Sequence, residues 1–137
     1  MRLAVLDTNV IVSAGINPYG APMKLLEDWA LMGRIGIITC PSILDEYYDV
    51  VQRRRFAAYD FPPLWLEPLI EASLQLPDPE PWPIALPDSK DAPFLALAHM
   101  SGAWLVTGNL KHFPEKARRG VTVISPAEYF ARLSAGK

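Results

Sequence analysis

The sequence predicts a single α/β domain, residues 1–137, built on a mostly parallel sheet. Three observations predict it. Short apolar runs such as Leu3-Ala4-Val5-Leu6 lack polar alternation, the mark of strands covered on both faces. These runs alternate with segments of helical spacing along the whole chain, as parallel crossover connections require. The length suits one domain with one sizeable core.

The first strand is expected over residues 3–7, ending on a carboxylate, Asp7. Asn17-Pro18-Tyr19-Gly20 has turn chemistry, and Pro22 suits the first turn of a helix. Met23, Leu25, Leu26, Trp29, Ala30 and Met32 continue that helix, with Gly33 as its C-cap. Ile35-Gly36-Ile37-Ile38-Thr39 forms a second buried strand before Pro41. Ser42 and Asp45 fit a capping box for a helix running to about Arg55. Phe61-Pro62-Pro63 breaks the chain before an amphipathic helix at about 64–75. Leu76 to Pro87 is a proline-punctuated connection with room for one short strand. Asp91 opens a helix whose Phe94, Leu95, Leu97, Ala98 and Met100 face inward and which Gly102 closes. Trp104–Thr107 and Val121–Ile124 are two further strands, and Pro126 opens a last helix with Tyr129, Phe130 and Leu133 inward.

Composition narrows the function classes. Cys40 is the only cysteine, so an internal disulfide is excluded, and with two histidines a structural zinc site is not expected. The apolar run after Arg2 is short and broken by Asp7, unlike a secretory signal, and no stretch is long enough to span a membrane. A reducing, cytoplasmic home is expected. The formal charge of −2 argues against nonspecific coating of nucleic acid, though a local basic rim is compatible with it.

The candidate site lies where the strands end. A carboxylate closing a buried strand is costly unless it is paired, hydrogen-bonded or bound to a metal. In open parallel sheets, ligands bind in the crevice outside the strands' carboxyl ends. Asp7 is therefore either a site residue or a cap for the next segment, with Thr8-Asn9 in an Asx-type turn. Four further residues fall at the same edge: Glu46 one turn into the helix after strand two, Asp88 and Asp91 at a helix start, and Asn109 in the turn Thr107-Gly108-Asn109. Each has an ordinary structural use: acids favour helix starts, Glu46 suits a solvated face, and Asn forms turns. Two carboxylates about 5 Å apart repel by roughly 3 kcal/mol at an effective dielectric near 20, so a gathered set calls for a divalent cation. Oxygen ligands without thiolates select Mg²⁺ or Mn²⁺.

Five segments together resemble the PIN-domain family of small Mg²⁺/Mn²⁺-dependent ribonucleases, which includes the VapC-type toxins of toxin–antitoxin pairs. They are Leu6-Asp7-Thr8-Asn9-Val10, Pro41–Tyr47, Asp88–Ala98, Trp104–Asn109 and Val121–Tyr129. The resemblance spans nearly the whole chain. It implies a three-layer α/β/α fold and a metal pocket that, position by position, falls on Asp7, Glu46 and Asp91, with Asp88 and Asn109 contributing. Asn9 resembles the family's residue that steadies the first Asp, and Thr107 a hydroxyl lining the pocket. It further implies an RNA substrate, a cognate antitoxin and a homodimer. The chain departs from the family at the fourth acid: Asn109 brings oxygen without charge, and His112 stands where some relatives carry another Asp.

Cations available to an RNA backbone are Arg53, Arg54, Arg55, Lys111, His112, Lys116, Arg118 and Arg119, although an arginine run at a helix end is also ordinary solvated surface. Two rival functions remain open. One is a PIN-like module, weakened at the fourth acid, that binds RNA or a protein without cleaving. The other is a phosphohydrolase with an aspartyl nucleophile, against which stands Asn9, two residues after Asp7, where that chemistry carries a second Asp.

Overall fold

A computed structural model describes residues 2–136. The chain folds as strand β1 (Arg2–Leu6), helices α1 (Thr8–Ile16) and α2 (Ala21–Leu25), β2 (Ile35–Thr39), α3 (Pro41–Val51), α4 (Leu66–Ala72), β3 (Leu74–Gln75), α5 (Ala92–Ser101), β4 (Trp104–Val106), β5 (Val123–Ile124) and α6 (Pro126–Ser134). The sheet has the order β3-β2-β1-β4-β5, and its pairs are all parallel. Ala4, Val5 and Leu6 are all fully buried, although successive side chains of a strand point to opposite faces. Both faces of the sheet are therefore covered, giving the three-layer α/β/α arrangement. On one face α5 lies across β1, β2 and β4 and meets α3; α2 packs against α1 and α6.

Several sequence expectations are corrected. Helix α1 was not foreseen. Its run Val10-Ile11-Val12 is β-branched and favours strands by intrinsic preference. It is helical because Thr8, Val10, Ile11 and Ala14 all bury themselves, a case of tertiary packing overriding propensity. The helix expected from Pro22 to Gly33 is split, with α2 giving way to a wider π-turn over Leu26–Ala30, and Met32 is exposed. Gly33 does close this segment with positive φ.

At α3 the capping box does not form. Pro41 takes the first helical position, and the Ser42 N–H is satisfied by Asp78 Oδ1 from a distant loop, at 2.9 Å. The helix stops at Val51, with Arg54–Phe56 as a separate 3₁₀ turn. Helix α4 is shorter than the expected 64–75, because Leu74-Gln75 joins the sheet as an edge strand beside β2. Residues 76–88 hold no strand and run as an extended strap: Asp78 is tied to the start of α3, and Trp82 Nε1 donates to the Ala117 carbonyl at 3.0 Å. At its end Asp88 caps the turn Ser89–Asp91 by accepting from the Lys90 N–H at 3.0 Å.

Helix α5 ends at Gly102 in the left-handed conformation, as expected, but Met100 points to solvent, about half exposed. The last strand pairs only at Val123 and Ile124. Ser125 caps α6 through the Glu128 N–H. Among the described residues no helix is long and apolar enough to cross a membrane.

Candidate active site

The carboxyl ends of β1, β2 and β4 share one edge, and the polar residues of interest collect there because parallel strands end together. Asp7 follows β1 directly and is only 4% exposed. It occupies the N-cap position of α1, yet its side chain makes no capping bond. The carboxylate turns instead toward β4. Its Oδ2 accepts from Thr107 Oγ1 at 2.8 Å and from Asn9 Nδ2 at 3.3 Å. Asn9 Oδ1 accepts the Gly108 N–H at 2.9 Å, and Thr107 Oγ1 accepts the Asn109 N–H at 3.0 Å. The turn after β4 is thus laced to the start of α1 through Asp7.

Burial raises the Asp7 carboxyl from its usual 3.8 to about 6. The Thr107 hydrogen bond opposes the rise, and the negative charge of Asp91 adds to it. Asp91, at the start of α5, is also raised by burial; His112 opposes that rise, while Asp88 and Glu46 reinforce it. Asp7, Asp88 and Glu46 each bear on Asp91, with Asp7 buried and Asp91 half-buried. His112 Nδ1 lies 2.8 Å from Asp91 Oδ2, with the Asp91 side chain 13% exposed and the imidazole 39%. Apart from this contact Asp91 Oδ2 has no donor, and Thr8 Oγ1 is a second buried oxygen without a hydrogen-bond partner.

Glu46 sits half-buried on α3. The adjacent Tyr47 is fully buried and donates its hydroxyl to the carbonyl of Leu6, the residue before Asp7. Tyr47 thereby fixes the Glu46 helix to the end of β1. The sequence reading missed this contact. Nothing marks Tyr47 out from any other core aromatic except its place beside Glu46.

Asp88 is exposed and occupied in part as a cap, while Asn109 is half-buried beside the laced turn. Lys111 and His112 lie in the adjoining 3₁₀ turn, Leu110–His112. The structure does not bring Arg53 and Arg54 to the acids. They follow the far end of α3, away from the strands' carboxyl edge, where Arg53 pairs with Asp49 at 3.1 Å and Arg54 is solvated. Arg118 is turned back to the Phe113 carbonyl, and Arg119 lies over Trp82.

Whether the residues suit a divalent cation can be tested on their chemistry. Among the described residues no three His, Cys, Asp or Glu side chains stand ready-made around one point. The donors are nevertheless hard oxygens of the kind Mg²⁺ and Mn²⁺ take. The buried Asp7 and the half-buried Asp91 are both raised by desolvation, and Asp91 Oδ2 has no donor beyond its contact with His112. A cation relieves these conditions at once. The residues fit the group.

A family model described as "PIN domain" matches residues 3–111. Among solved structures, PAE2754 from Pyrobaculum aerophilum is 17% identical with a TM-score of 0.57, covering 98% of this chain and 90% of that one. FitAcB from Neisseria gonorrhoeae is 18% identical with a TM-score of 0.56, covering 90% and 98%. FitAB bound to an IR36 DNA fragment is 19% identical with a TM-score of 0.54, covering 90% and 94%. At these identities the likeness is one of fold. No curated protein matches the sequence.

Proposed function

The chain belongs to the PIN-domain family, and on that premise we propose that it is a divalent-metal-dependent endoribonuclease, the toxin of a toxin–antitoxin pair. The observation that carries the reading is the approach of two desolvated carboxylates, the buried Asp7 and the half-buried Asp91, to one edge of the sheet, with Glu46 and Asp88 acting on Asp91. In this reading Asp7, Glu46 and Asp91 hold Mg²⁺ or Mn²⁺, and Asp88 and Asn109 assist. The cation, when bound, supplies the charge that activates water and offsets the charge developing on a phosphodiester.

The chain's own residues set the geometry. Thr107 and Asn9 each donate to Asp7 Oδ2, which fixes the carboxylate's rotamer. The hydrogen bond from Thr107 also favours the ionised form that a cation requires. Tyr47 holds the Glu46 helix against the end of β1, so the acids of α3 and β1 keep a fixed separation. Lys111, exposed in the adjoining turn, is the cation best placed to meet the RNA backbone. An antitoxin and a second copy of the chain complete the proposed assembly.

The test is cleavage of a mixed single-stranded RNA pool with Mn²⁺, with EDTA, and by Asp7→Asn. Cutting that requires the metal and falls at least ~100-fold in the variant supports the proposal, since even outer-shell changes cost metal sites 10–100-fold. The uncharged Asn109 favours a second reading, a module that binds RNA without cutting it. RNA retained equally with and without EDTA, and never cut, decides for that module.

A further inference from the structure

We propose that His112 is a metal ligand through Nδ1, filling the coordination place that uncharged Asn109 leaves, and that it tilts the site from Mg²⁺ toward Mn²⁺ and other borderline ions such as Co²⁺. The inference rests on the metal-site reading above and deepens it.

The starting observation is the contact between His112 Nδ1 and Asp91 Oδ2. The two atoms stand 2.8 Å apart, and apart from this contact Asp91 Oδ2 has no donor. A nitrogen and a carboxylate oxygen in that relation are suited to a shared cation. Two ligands bound at about 2.1 Å and at right angles around one ion stand about 3 Å apart, close to the separation seen.

The turn that carries the ring is anchored on both sides, so the ring stays at the acids. Before it, the Asn109 N–H is bonded to Thr107 Oγ1, which in turn holds Asp7. After it, Phe113 is fully buried, and its carbonyl accepts from Arg118 Nε at 2.8 Å. Within it, the His112 N–H donates to the Asn109 carbonyl at 3.1 Å.

The consequence for selectivity follows from ligand type. Imidazole binds the later divalent metals more tightly in the order Mn²⁺, Fe²⁺, Co²⁺, Ni²⁺, whereas Mg²⁺ takes oxygen and keeps its waters. A site of three carboxylates and one imidazole therefore discriminates against Mg²⁺ more than a site of four carboxylates does. His112 is thereby drawn from contact with phosphate to contact with the ion.

The experiment measures Mn²⁺, Co²⁺ and Mg²⁺ binding by calorimetry to the wild type, His112→Gln and His112→Asp, with pulsed EPR on the Mn²⁺-loaded proteins. A ¹⁴N coupling is expected in the wild type and lost in His112→Gln, which also assigns it, because the other histidine, His99, packs edge-on against Trp82. His112→Gln should lose about tenfold or more in Mn²⁺ and Co²⁺ affinity with little change for Mg²⁺, and His112→Asp should gain Mg²⁺ affinity over the wild type. Mn²⁺ bound to the wild type without ¹⁴N coupling, or equal losses for all three ions, overturns the ligand assignment and leaves the metal site standing. No binding of any ion by wild type and His112→Asp alike overturns the metal-site reading and this inference with it.

Discussion

Replacing Asp7 by Asn should make the metal-free protein more stable, by an amount that depends on pH. The carboxyl is 4% exposed and its pKa rises to about 6 on folding from the usual 3.8. The folded state therefore holds this proton more tightly than the unfolded one. Stability from that proton is fully present below pH 3.8 and is lost as pH rises through 6. The loss at pH 7–8 is about 3 kcal/mol, at 1.36 kcal/mol for each tenfold difference in proton affinity.

Asn keeps the acceptor that Thr107 and Asn9 use and removes the buried charge. Urea unfolding in EDTA should show variant and wild type within about 0.5 kcal/mol at pH 4, with the variant ahead by about 3 kcal/mol at pH 7.5. With a urea slope near 2 kcal/mol/M, that is a midpoint shift of roughly 1.5 M. Adding Mn²⁺ should reverse the order, because a ligand stabilises only the protein that binds it, by about 4.1 kcal/mol at one thousand times Kd. A difference that is flat from pH 4 to 8, or a variant less stable throughout, would refute the desolvation account of Asp7.

Two other changes test the supports around it. Thr107→Val removes the donor that lowers the Asp7 pKa and the acceptor for the Asn109 N–H, so it should cost about 1–3 kcal/mol, more above pH 6 than below pH 4 by the same urea series. Gly15→Ala places a methyl carbon 2.6 Å from the Phe61 ring, so about 1–3 kcal/mol should be lost, read as a lower Tm with the metal affinity unchanged.

The elements that are legible in the sequence are those whose cause is local. Strand β2 has the predicted bounds, Ile35–Thr39, because five apolar or small residues lie between Gly33, with positive φ, and Pro41. Gly102 and Pro126 end and begin helices for reasons contained within a few residues. Helix α1 was invisible because its β-branched run carries the opposite local preference and its burial hides any periodicity. The cap of α3 was misplaced because its true partner, Asp78, is distant in sequence.

The same division holds at the site. That Asp7, Glu46, Asp91 and Asn109 share an edge follows from strand ends alone. The hydrogen bond from Tyr47 to Leu6, the contact of His112 with Asp91, and the exclusion of Arg53 and Arg54 depend on how α3 and the turn after β4 lie in space. No local pattern encodes those.

The strap from Leu76 to Asp88 gives the acidic edge a built-in gauge. Near one end Asp78 grips the first turn of α3, which carries Glu46; at the other Asp88 closes the turn that delivers Asp91. Between them Pro79, Pro81, Pro83 and Pro87 restrict the backbone even in the unfolded chain, so little freedom remains to be surrendered when the strap is laid down. A glycine-rich segment of equal length would connect the same helices and leave their separation to chance. A stiff spacer clamped at both ends sets it, as a draughtsman's dividers hold one span wherever they are moved.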